Sequence, residues 1–280
     1  MILGSAWPVL GVVSLERSVD FYCAVLGCRG AGGEAPPGGG ERHALLSSGG
    51  RPLVLELVAR PEPSAWVNDD LQCGIRHVAF KVDDVDRWAA RVKAAGAPFT
   101  MEPRDATGGV RIAFFLAPDG EHIELVQGNV HYSHPWSEQL IGAERATPAP
   151  ATPRLDHIAI SVAGLERTLA FYRRRAGAEV IGQLRIGEDP RGFLITYVRL
   201  GAGPTILEVF SFDSAMRPNP WQPHRTPPGL LRIALSARGT EDASSPGGDV
   251  VLDPDGTPVE IVRGPEPPVG ASTPPPRAGR

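Results

Sequence analysis

The chain has 280 residues and a formal net charge of −4, with 28 basic against 32 acidic side chains, which leaves no electrostatic footprint for a nucleic-acid partner. A hydrophobic fraction of 42% is ordinary for a globular protein, and no apolar run approaches the roughly 18 residues of a membrane-spanning helix. Three cysteines, Cys23, Cys28 and Cys73, lack a CxxC spacing and are odd in number, which reads as a reduced, cytoplasmic protein without a disulfide framework or membrane partner. Lys81 and Lys93 are the only lysines, an arginine bias that fits a GC-rich genome, so Arg173-Arg174-Arg175 is not read as a binding patch.

In chain order, WPVLGVV (7–13) reads as a first strand, since the apolar start lacks the basic region of a secretory leader. An amphipathic helix is predicted over 15–26, with Ser14 as N-cap and Gly27 as C-cap. The stretch 31–41 is a loop, and LVLELV, carrying Glu56, closes the unit. A second unit opens with IRHVAFKV (75–82), continues in a helix over 85–95 between Asp83 or Asp84 and Gly96, and ends in HIELV with Glu124. The third runs from LDHIAISV (155–162) through a helix over 165–176, capped by Gly177, to TILEVF with Glu208. The fourth opens with LLRIALSA (230–237) and ends in PVEIV with Glu260, but its interval is much shorter. The polar stretch 237–249 replaces the helix and one strand. The segment 128–154 joins the halves, its aromatic part packing on one of them and ATPAPATP serving as linker.

These units are repeats. GVVSLERSVDFYCAVLG (11–27) matches SVAGLERTLAFYRRRAG (161–177), and LAPDGEHIELVQG (116–128) matches LDPDGTPVEIVRG (252–264). The predicted fold is α+β, with two tandem domains built from four βαβββ modules, the fourth truncated. An N-terminal domain spans 1–130 (modules about 5–60 and 74–128), a linker 131–153, a C-terminal domain 154–264 and a disordered Pro-rich tail 265–280.

The LER…FY helices, the DHIAISV and RHVAFKVDD strands and the twice-used PDG-x3-E ending resemble the vicinal oxygen chelate superfamily over residues 5–264. That group includes glyoxalase I, extradiol dioxygenases, epimerases and the fosfomycin- and bleomycin-resistance proteins. The resemblance implies that each domain is a curved mixed sheet around a cavity. It also implies one divalent metal ion (Mn, Fe(II), Ni, Zn or Mg), held by residues from the first and last strands of paired modules. Mapped onto this chain, domain one offers Trp7, Glu56, His77 and Glu124, and domain two offers His157, Glu208, Arg232 and Glu260.

An indole N–H only donates and a guanidinium stays protonated, so neither Trp7 nor Arg232 can ligate. The favoured metal set is Glu56, His77 and Glu124, with His157, Glu208 and Glu260 as the second choice. Glu56 and Glu124 are the candidate catalytic bases. Trp7, Arg232 and His122, which shares a strand face with Glu124, are candidate substrate contacts. His43, His131, His134 and His224 lie in loop-like or proline-rich surroundings and are assigned no role.

The function expected from the resemblance is proton transfer of the glyoxalase, isomerase or epimerase type on a small carbonyl or diol compound, through an enediolate held by the metal. The alternative is a metal-free small-molecule binding protein of the bleomycin-resistance kind, monomeric or homodimeric like the enzyme. Extradiol ring cleavage fits less well, because Arg232 stands where a histidine is needed and GGDVVLDPDG lacks the upstream His and Tyr.

Overall fold

The computed structural model describes residues 3–32, 42–48, 51–60, 70–188, 192–201, 203–219, 229–237 and 249–262. The first module comprises β1 (Leu3–Val12), α1 (Leu15–Leu26), β2 (Arg29–Gly32), β3 (His43–Ser48) and β4 (Arg51–Ala59). The second comprises β5 (Gly74–Lys81), α2 (Val85–Ala94), β6 (Phe99–Ala106), β7 (Val110–Leu116) and β8 (His122–Gln127). Between the halves lie a two-residue strand, β9 (His134–Pro135), and α3 (Glu138–Ala146), so the joining segment contains a helix that its composition did not announce. The third module comprises β10 (Arg154–Val162), α4 (Leu165–Ala176), β11 (Glu179–Ile186), β12 (Phe193–Arg199) and β13 (Ile206–Phe212). The fourth contributes β14 (Gly229–Ala237), β15 (Asp249–Leu252) and β16 (Pro258–Val262). Its expected helix replacement, at 238–248, lies outside the described residues, as do the tail and most of the 31–41 loop.

Local chemistry sets the helix ends. The Ser14 hydroxyl accepts from the Arg17 amide at 3.2 Å and Asp84 from the Arg87 amide at 3.0 Å, while Asp83 takes the Trp88 indole N–H instead. Gly27 and Gly177 end α1 and α4 at φ 67° and 59°, a left-handed conformation that glycine adopts without a Cβ penalty.

Two mixed α+β sheets result, as expected from the repeat. One runs β15-β16-β14-β1-β4-β3-β2 and the other β6-β7-β8-β5-β10-β13-β12-β11-β9. The grouping within them differs from the expectation. Antiparallel pairs β1·β14 and β5·β10 join module one to module four and module two to module three, across the chain halves. The hydrophobic cores follow the halves more closely: Tyr22, Leu26, Leu57, Phe80, Val92 and Phe115 share one, and Ile158, Tyr172, Leu207, Ile233 and Ile261 another.

The repeated motifs lock each half together. Asp119, in the PDG turn between β7 and β8, accepts from the Val13 amide at 3.1 Å, from Ser18 and from the LER arginine Arg17. Asp255 repeats this with the Ala163 amide at 3.2 Å, Thr168 and Arg167. Each aspartate sits against a helix N-terminus, where both the arginine and the exposed amides favour a negative charge.

Behind the first of these turns, Glu121 is buried, with Oε2 accepting from the Asp119 amide at 2.9 Å and, among the described residues, no hydrogen-bond partner on Oε1. Burial pushes its carboxyl up to about 7. A raised folded-state value means full stability below the unfolded pKa, then a loss as pH rises and only the unfolded chain ionises. Wild type is therefore expected to lose about 3 kcal/mol relative to Glu121→Gln between about pH 4.5 and 7.5. Urea midpoints across this window measure it, and parallel profiles for the two proteins would contradict it.

Candidate metal centre

The centre is built at the β5·β10 seam. In that register His77 lies opposite Ala159 and His157 opposite Ala79. The parallel neighbours add Glu124 beside Ala79 and Glu208 beside Ala159. Directly paired residues share a sheet face, so two rows form, Glu124–Ala79–His157 and His77–Ala159–Glu208. The alanine in the middle of each row leaves room for the larger side chains to lean together.

They converge closely. His157 Nε2 lies 3.0 Å from Glu124 Oε2, 3.2 Å from Glu208 Oε2 and 3.2 Å from His77 Nε2. His77 Nε2 lies 3.1 Å from Glu124 Oε2 and 3.4 Å from Glu208 Oε2. All four residues are buried, and one donor atom from each lies within 4.8 Å of the others. Adjacent donors about 2.1 Å from an octahedral ion stand about 3.0 Å apart, so this spacing and the N2O2 donor set fit a first-row divalent cation or Mg.

The electrostatics fit as well. Burial alone would raise Glu124, but hydrogen bonds from His157 and His77 outweigh it and hold the carboxylate below its ordinary range. Glu208 is drawn down further, burial being overcome chiefly by the charge of His157. His157 is pushed well above its ordinary value: burial opposes this, and the Glu208 charge with the hydrogen bonds that His157 donates to Asp156, Glu124 and Glu208 prevails. Two buried carboxylates that draw a proton onto an imidazole would equally draw a metal cation.

Surrounding groups complete the setting. His122 is buried on the same strand as Glu124, its Nε2 2.7 Å from Thr100 Oγ1 and its ring stacked on Phe114 at 4.8 Å. It stands 6.2 Å from His77 between ring centroids, beside the donor cluster and outside it. Burial pushes it down to about 3. Tyr197 pairs with Glu208 across β12 and β13, and burial followed by the Glu208 charge lifts its phenol well above the usual range.

The expected grouping is thus corrected. Glu56 does not meet His77 and Glu124, and Glu260 does not meet His157 and Glu208, because the sheets pair modules across the chain halves. Glu56, Trp7, Arg232 and Glu260 occupy the equivalent positions at the β1·β14 seam, in rows Glu56–Val9–Arg232 and Trp7–Ala234–Glu260. There the Trp7 indole donates to Glu56 Oε2 at 3.0 Å, and Arg232 Nε donates to Glu260 rather than sitting beside Glu208. Burial would raise Glu56, but the His43 and Trp7 hydrogen bonds and the Arg232 charge hold it low.

Sequence reasoning missed His43, which is buried on β3 with Nδ1 2.7 Å from Glu56 Oε1. Its signal was present: Leu45 is the cross-strand partner of Glu56, and His43, two residues before it, shares that face. His131 and His134 are exposed, and His224 lies outside the described residues.

Comparisons with known proteins agree with this architecture. A family model described as the Glyoxalase/Bleomycin resistance protein/Dioxygenase superfamily matches residues 4–125. A probable chloroplastic lactoylglutathione lyase of Arabidopsis thaliana is 28% identical over 199 residues, covering 70% of this chain and 49% of that protein. A probable lactoylglutathione lyase of Vibrio cholerae is 33% identical over 124 residues, covering 42% of this chain and 86% of that protein. The chain spans about half the length of the Arabidopsis proteins it matches. Glyoxalase I from Zea mays shares the fold, with a TM-score of 0.64 at 21% identity and 92% of each chain covered.

Arg232 supplies the positive charge at the β1·β14 seam. Arg232 is partly exposed but its partner Glu260 is buried, so Arg232→Met strands a buried carboxylate and is expected to destabilise the protein by up to about 3–5 kcal/mol, read by chemical denaturation. A loss below about 1 kcal/mol would show that Glu56 and Glu260 do not depend on the guanidinium.

Proposed function

The chain belongs to the glyoxalase/bleomycin resistance protein/dioxygenase superfamily, and from that premise we propose that it is a divalent-metal-dependent enzyme of the proton-transfer type. Its substrate would be a small carbonyl or diol compound, and its working site the β5·β10 quartet. The supporting observation is the convergence of His77, Glu124, His157 and Glu208 in one buried cluster. When bound, a divalent ion would supply Lewis acidity to an oxygen of the substrate.

The residues divide the remaining work. His77 and His157 present Nε2 and Glu124 and Glu208 present Oε2 as the ion's four protein ligands. A glutamate then moves the proton on the carbon next to the substrate oxygen. Glu124, on leaving the ion, is the better candidate, because Glu208 is also engaged by Tyr197. Glu56, committed to Trp7 and His43, takes no part in this reading. The His122 and Phe114 rings flank Glu124 and would exclude water from one side of the reacting carbon. Two carboxylates with two imidazoles also differ from the two-histidine, one-carboxylate set of non-haem iron oxygenases, which supports proton transfer over ring cleavage. Both halves of one chain complete the quartet, so no second copy is needed to assemble it.

Purified protein is expected to carry one Mn, Fe(II), Ni, Zn or Mg ion per chain. Chelator dialysis should remove it and lower thermal stability, and re-addition should restore both. His77→Ala is expected to abolish stoichiometric metal. Glu124→Gln should bind the ion more weakly and slow lactoylglutathione lyase activity or substrate proton exchange by about 100-fold or more. Elemental analysis of wild type that finds no ion, together with no stabilisation by added metals, would overturn the proposal.

A further inference from the structure

The strand residue before a site histidine ordinarily points to the opposite face of the sheet. On β10 it does not. The pairing with β5 shifts register between Leu155 and His157, which makes Asp156 the extra residue of a β-bulge. Its carboxylate thereby reaches the His157 ring, Oδ2 to Nδ1 at 3.1 Å. Lys81 Nζ lies 3.7 Å from the other Asp156 oxygen and donates to the Gly128 carbonyl at 2.6 Å. A neutral imidazole offers a lone pair at Nε2 only when Nδ1 carries the proton.

We propose that Asp156 is the positioning residue of the centre: it accepts the Nδ1 proton of His157 and so turns the Nε2 lone pair towards Glu124, Glu208 and His77, with Lys81 tethering the carboxylate. This rests on the metal reading given above. A carboxylate behind a metal-bound histidine fixes both its tautomer and its ring orientation.

The other half of the seam provides the contrast. The matching bulge falls at Arg76, the residue before His77. Its guanidinium lies 4.6 Å from the Phe210 ring centroid, donates to Ser161 Oγ at 3.0 Å and pairs with Asp70. Among the described residues His77 has no carboxylate on Nδ1, its contacts to Glu124 and Glu208 being made through Nε2. At the β1·β14 seam the corresponding extra residue is Leu231, before Arg232. Among these three bulge residues, a carboxylate occurs only at Asp156.

The test uses the full chain and Zn²⁺, with affinity measured by competition against a chromophoric chelator. Long-range ¹⁵N spectra of the zinc-loaded protein report the imidazole tautomers. In wild type, His157 is expected to hold zinc through Nε2 with Nδ1 protonated, and attachment through Nδ1 would overturn the inference without any variant. Asp156→Ala is expected to weaken zinc binding about 10- to 100-fold. Asp156→Asn, which keeps an acceptor oxygen but loses the charge, is expected to weaken it only severalfold while preserving the tautomer. Wild-type affinity in Asp156→Ala would sink the assignment, and if that variant does not fold, wild-type affinity in Asp156→Asn does so. A wild-type protein that takes up no zinc, and no other divalent ion, instead removes the metal reading on which the assignment stands.

Discussion

Two antiparallel strands, β5 and β10, meet in a register that places His77 opposite Ala159 and His157 opposite Ala79, and the convergence of the buried His/Glu quartet depends on that alignment. A slip of one residue would turn both imidazoles to the other face. That face is already filled: Val78 and Phe80 belong to one hydrophobic core and Ile158 and Ile160 to another. The packing of these large side chains therefore specifies the register. The small alanines opposite the histidines then decide how closely the polar groups approach. Apolar packing on one side of the sheet positions a buried polar cluster on the other.

The two seams show how one backbone arrangement accommodates two solutions to the same electrostatic problem. Each brings two buried glutamates from flanking strands towards the centre, and buried carboxylates require compensating positive charge. At β5·β10 the central residues are imidazoles, which can accept a proton or share a cation. At β1·β14 they are Trp7 and Arg232, so the compensating charge is covalently part of the chain and permanently protonated. The first seam retains exchangeable chemistry. At the second, hydrogen bonds from Trp7 and Arg232 and the contact with His43 engage the carboxylates.

Much of this was legible in the residues themselves. The repeated LER…FY and PDG stretches marked the modules, and glutamates inside apolar strands marked positions where a charge had to meet a partner. Which modules paired was not legible. Every module supplies equivalent first- and last-strand positions, so pairing within a half and pairing across halves predict the same local pattern. Only the tertiary arrangement separates Glu56 from His77 and unites His77 with His157. Asp156 was hidden for a related reason: period-two alternation places it on the wrong face, and a bulge overrides that alternation. His43 is not legible as a site residue because the glycine-rich sequence before it reads as a loop, although its strand pairing is regular.

The repeated motifs also explain why the two seams could diverge. Asp119 and Asp255 bind the helix starts within each half, through Arg17, Ser18 and the Val13 amide or Arg167, Thr168 and the Ala163 amide. These contacts, with Tyr22 and Tyr172 buried behind them, hold modules one and two together, and modules three and four, independently of either quartet. A substitution at a seam leaves these contacts in place. What it must preserve is charge balance around its two glutamates, which Arg232 provides at β1·β14 as a bound cation would at β5·β10. Conversely, a metal at β5·β10 would link His77 and Glu124 from one half to His157 and Glu208 from the other, so its binding energy would act on the relation between the halves more than on the fold of either.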